Sequence, residues 1–169
     1  MLKSLANYFM RNAVEKHNSN RKKQFLNWDK IEKIALIIDN THPVNKSEID
    51  KFTDSTKKYV DVFFIELNSK QASYSDWICF TSKDKTFLNL PKSHIDLTIK
   101  NRQYQLAITV SEKHSLFAAV VISKINAPYT CGNRNLSGEI DLIIERNEKT
   151  DLPSYLREVL KYLTMIRIN

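Results

Sequence analysis

Leu2, Leu5, Ala6, Phe9, Met10, Ala13 and Val14 recur at three- and four-residue intervals, with Lys3, Asn7, Arg11, Glu15 and Lys16 between them. That spacing is one face of a helix. It fades at Asn18, Ser19 and Asn20, which favour turns. A connector over 21–33 follows, with Phe25, Leu26 and Trp28 to anchor it. Residues 34–38 are continuously apolar and end at Asp39, the pattern of a strand covered on both faces. The segment 40–43 breaks it. Ser47, with Asp50 three positions on, predicts the cap of a helix that buries Ile49 and Phe52 and ends near Lys58. Residues 60–67 read as a second strand.

In the middle of the chain, 77–80 predicts a short strand, 86–90 another and 91–100 a short helix. Residues 104–110 predict a strand. Ser111 is then placed to cap a helix running to Ile125 that is apolar nearly all round. A short strand over 128–131 closes at Gly132, and 140–144 follows the polar loop 133–138. Two strands joined by a short, glycine-bounded loop suggest a hairpin, which leaves the last strand open to antiparallel pairing. Asp151 caps a final helix whose stripe is Leu152, Leu156, Val159, Leu160, Leu163 and Ile166. Alternating strands and helices point to an α/β protein, a three-layer sandwich with a mostly parallel sheet. The expected organisation is a basic helical arm and connector over 1–32 and a single α/β domain over 33–169.

Several of these stretches together resemble a family of bacterial proteins of unknown function, common in Bacteroidota. They are the basic helical start, the strand over 33–39, the strand over 104–110, the helix ending at Ser123 and Lys124, the strand closing at Cys131 and Gly132, the strand over 140–144, and the stripe at Tyr162 and Leu163. The polar Asn133 and Arg134 stand where that pattern leads one to expect an apolar residue. The resemblance implies a Rossmann-like or flavodoxin-like sandwich and brings no activity or catalytic residues with it.

Charge adds a direction. The formal net charge is +7, and residues 1–33 hold eight cations (Lys3, Arg11, Lys16, Arg21, Lys22, Lys23, Lys30, Lys33) against Glu15, Asp29 and Glu32. A localised basic segment attracts polyanions. Arg21, Lys22, Lys23, Lys30 and Lys33, with Trp28 and Phe25 among them, form the pattern suited to RNA, where phosphates take the charge and bases stack on rings.

The absences narrow the chemistry. With only Gly132 and Gly138, the chain has neither a P-loop nor a Gly-x-Gly-x-x-Gly turn. The four histidines are scattered, and Cys79 and Cys131 form no disulfide framework or metal knuckle. No cofactor or metal is expected. No stretch approaches a membrane span or a signal-peptide core, so a cytoplasmic location is expected. In an open parallel sheet, ligands bind beyond the carboxyl ends of the strands. Here those ends bring forward Asp39, Asn40, Ser111, Cys131, Asn133 and Arg134 as a ligand crevice, with Cys131 a conceivable nucleophile beside His42 or His114.

Three functions follow as expectations. The first is a non-enzymatic protein that docks on RNA or a ribosomal particle through its basic arm. The second is a protein-interaction or membrane-surface module using the first helix. The third is an enzyme of unrecognised type at the strand ends.

Overall fold

The computed structural model of the 169-residue chain describes every residue except Met1, Thr41, His42, His114, Leu136, Glu148, Ile168 and Asn169, and leaves the side chains of Leu2 and Lys3 undescribed. Six strands form one sheet: β1 (Lys33–Asp39), β2 (Tyr59–Glu66), β3 (Ile78–Thr81), β4 (Leu106–Ser111), β5 (Tyr129–Gly132) and β6 (Leu142–Ile143). Their order is β3-β2-β1-β4-β5-β6, and every neighbouring pair is parallel. This is the doubly wound Rossmann order, in which the chain reverses direction across the sheet between β1 and β4.

Alternation along the strands divides the core in two. Ile34, Leu36 and Ile38 of β1 join Phe64, Ile108 and Val110 on one face, where α2 (Lys46–Thr56) and α5 (Leu152–Met165) bury Ile49, Phe52, Tyr155, Leu156 and Val159. Ala35 and Ile37 join Phe63, Ile65 and Ala107 on the other, under α3 (Ser93–Lys100) and α4 (Leu116–Lys124). Helix α1 (Leu2–Asn20) lies outside this sandwich and seats Met10 and Val14 on Ala119 and Val120 of α4. That contact explains why α4 is apolar on both sides. One side faces the sheet and the other faces α1.

The hairpin expectation is overturned. Cys131 pairs with Leu142 and Gly132 with Ile143 in parallel register. The chain leaves β5 at its carboxyl end, and 133–141 carries it back beside Thr130 without a helix, so that β6 pairs with the last two residues of β5. A return this short is rare for parallel strands, whose crossovers usually need a dozen residues. Gly132 is required where β5 lies on β4, because a Cβ there would stand 2.0 Å from Thr109 Oγ1.

Three local expectations also change. Residues 86–90 make a turn instead of a strand: the Thr86 carbonyl accepts from the N–H of Asn89, and Asn89 adopts φ 61°. Ser115, not Ser111, caps α4, its hydroxyl accepting from the Ala118 N–H. Asn45 precedes α2, without the capping bond expected of Ser47.

Candidate functional sites at the two ends of the sheet

The carboxyl ends of β1 and β4 open into a crevice of about 390 Å³. It lies where strand order reverses, the usual ligand position in such sheets. Asp39 and Asn40 line it from β1, Leu67 and Asn68 from the end of β2, Lys85 and Asn89 from the loop before α3, and Lys113, Ser115, Leu116 and Phe117 from the start of α4. Asn7 and Met10 of α1 complete one wall.

Asp39 has structural work at this point. Its carboxylate accepts from the Ser111 hydroxyl at 3.2 Å and from the Ser115 N–H at 3.1 Å, holding the β4–α4 turn. Asn133 accepts from the Ser111 N–H and donates to the Ser111 carbonyl, both at 2.8 Å. This pair of bonds latches the ends of β4 and β5, and it accounts for a polar residue after Gly132.

Cys131 and Arg134 do not line the crevice. Cys131 is fully buried in the layer facing α5. Burial, with the nearby Asp141 charge, pushes its thiol up to about 12, so it holds no thiolate at neutral pH. Arg134 is exposed on the loop after β5. The bases proposed for Cys131, His42 and His114, lie outside the described residues. Among the described residues no three His, Cys, Asp or Glu side chains gather as a metal site.

The chain belongs to DUF6913, a family of unknown function. The match covers residues 3–166, and so includes α1 with the sheet. No curated protein and no solved structure matches the chain.

The opposite end of the sheet gathers the connector. Gln24 N–H donates to the Pro128 carbonyl just before β5, and Phe25 meets Tyr129 edge-on with ring centroids 4.5 Å apart. Arg21 grips Asp141 with two bonds of 2.7 Å, and Lys23 reaches the same carboxylate at 2.8 Å. Burial alone would raise the Asp141 carboxyl, but bonds from Lys23, Arg21 and Thr130 outweigh it and hold the group below its ordinary range. Arg21 is thus a tie between connector and sheet, with only 10% of its side chain exposed. Trp28 is half-buried against the core, and Lys58 Nζ lies 5.6 Å from its ring centroid. Lys33 lies over the Tyr59 ring at 4.8 Å and near Asp61 at 3.9 Å.

Lys22 and Lys30 remain exposed in the connector at this end, where the α2–β2 turn also places Lys57 and Lys58 and the end of α3 places Lys100. Tyr59, 59% exposed, occupies the first position of β2 at the same end. Sequence reasoning missed Lys57, Lys58, Tyr59 and Lys100. They lie far from the arm in sequence, and only the parallel register Lys33↔Tyr59 reveals the grouping.

Among the described residues, no helix is long and apolar enough to cross a membrane.

Proposed function

We propose that this DUF6913 protein docks non-enzymatically on RNA or a ribonucleoprotein particle through the face at the amino ends of its strands. The observation that carries the reading is that three separate chain segments bring cations to the amino end of the sheet, where β2 also begins with the exposed ring of Tyr59. Lys22 and Lys30 come from the connector, Lys57 and Lys58 from the α2–β2 turn, and Lys100 from the end of α3. Among the described residues, Lys22, Lys30, Lys57 and Lys100 have no ion-pair partner, which leaves them available for phosphates. Tyr59 supplies the surface on which an unpaired base would stack. Within this reading Arg21 and Trp28 act as supports, holding the connector where its lysines join the rest.

The test is fluorescence anisotropy of a labelled single-stranded RNA oligomer with the full chain at low salt. Neutralising Lys22, Lys30 and Lys57 to Gln should weaken binding at least tenfold, and Tyr59→Ala should cost about 1–3 kcal/mol of affinity. Undiminished binding by the triple variant would remove the reading.

A second reading rests on a different observation. Leu5, Tyr8 and Phe9 on the outer side of α1 are 52%, 60% and 55% exposed. Such a face suits a protein groove or an interfacial lipid layer. Leu5→Ser/Phe9→Ser should abolish association of that kind and leave RNA binding intact.

A further inference from the structure

We propose that the crevice between β1, β4 and α1 is a binding site for a small organic anion with an apolar or aromatic body. The reading is independent of RNA docking, since the crevice lies at the other end of the sheet. Its volume of about 390 Å³ is within the range of small-molecule sites. Met10, Leu67, Leu116 and Phe117 give it apolar walls, and the polar groups present are of a kind that selects a ligand.

Lys85 is half-buried at the crevice and Lys113 exposed at it, and neither has an ion-pair partner among the described residues. Two cations on one concave, partly apolar surface are electrostatically unfinished. A carboxylate or a phosphate ester would supply the counter-charge these two lysines lack, through charge-assisted hydrogen bonds. Asn7, Asn68 and Asn89 also line this space, and their side-chain amides make no hydrogen bond among the described residues. They offer donors and acceptors to the body of a ligand.

Asp39 adds selectivity. Its carboxylate accepts from Ser111 and Ser115, and its charge at the crevice wall turns the anionic end of a ligand toward the lysines. A bare inorganic anion meets only the lysines and forgoes the apolar walls. Helix α1, which stands outside the α/β alternation, acquires a role here, because Asn7 and Met10 close a side of the crevice that the sandwich leaves open.

The experiment is calorimetric titration of the full chain with adenosine monophosphate and with indole-3-acetate, which separate phosphate ester from carboxylate. Adenosine and inorganic phosphate serve as half-probes. At least one organic anion should bind with sub-millimolar affinity, and each half-probe at least tenfold more weakly. Lys85→Gln/Lys113→Gln should weaken that binding at least tenfold while keeping the wild-type melting temperature without ligand and the wild-type affinity for RNA. Binding of neither anion with sub-millimolar affinity, or equal binding by the double variant, would overturn the proposal.

Discussion

Asp141 is the residue on which the placement of the connector depends. Its carboxylate is 7% exposed, with Arg21 and Lys23 as counter-charges and the Thr130 N–H as a further donor at 3.0 Å. Replacing it with Asn leaves Arg21, itself largely buried, without its counter-charge, and breaking a buried pair in this way costs about 3 kcal/mol. For a chain of this size that is a fall of about 6–12 °C in melting temperature. The pH dependence has a definite sign. A carboxyl group held below its ordinary value near 3.8 stabilises the fold at higher pH, and that contribution disappears as pH falls through the lower, folded value. Wild type should therefore lose stability on acidification below about pH 5 more steeply than Asp141→Asn, as followed by thermal melts across pH. Parallel curves would show that the triad does not titrate with folding. The partnership was not legible in the sequence. Arg21 appeared as one member of a basic run, and its partner stands 120 positions away in a segment whose pattern suggested the second strand of a hairpin. The identity of a cation was readable, but whether a buried acid already claims it was not.

At the scale of elements, the strongly periodic or continuously apolar segments were readable: α1, β1, β2, β4, α4 and α5 stand close to where their patterns put them. Burial on both faces gives a central parallel strand an unbroken apolar run, which identifies it without knowledge of its neighbours. What failed was short or governed by turn chemistry. β6 has two residues, and the return before it is brief enough to imitate a hairpin. Residues 86–90 fold on the Thr86 and Asn89 backbone. The crevice was partly legible: Asp39 and Asn40 were placed by the rule for strand ends, whereas Lys85, Asn89 and Asn7 reach it from loops and a helix with no sequence link to those ends. Helix α1 carries its own prediction. It packs on the outer side of α4 through Met10 and Val14. Met10→Ala removes about 2–3 kcal/mol from that contact. Hydrogen exchange should then quicken across 4–16 by local opening, with β1, β2 and β4 keeping their protection. Uniform acceleration would mean that α1 and the sheet unfold as one unit.

At the scale of the whole molecule, net charge and charge placement make different claims, and they can be separated. A protein of +7 attracts nucleic acid whatever its fold, and any three lysines removed would weaken that attraction alike. A docking face makes a local claim. Each lysine that neutralises a phosphate releases a counterion, so the slope of log affinity against log salt counts the contacts, at about 0.7 per phosphate on a single strand. Lys22→Gln/Lys30→Gln/Lys57→Gln should make that slope shallower by about 2. Lys70, Lys92 and Lys149 provide the control: all three are exposed, they follow β2, precede α3 and precede α5 at the carboxyl end, and their removal lowers net charge equally. Their triple Gln variant should keep the wild-type slope and nearly the wild-type affinity. Equal losses in the two variants would reduce the basic arm to a contributor of bulk charge. A loss confined to the first would mean that the fold, by setting Lys33 beside Tyr59 in register, assembles the face from segments that carry no common signature in the sequence.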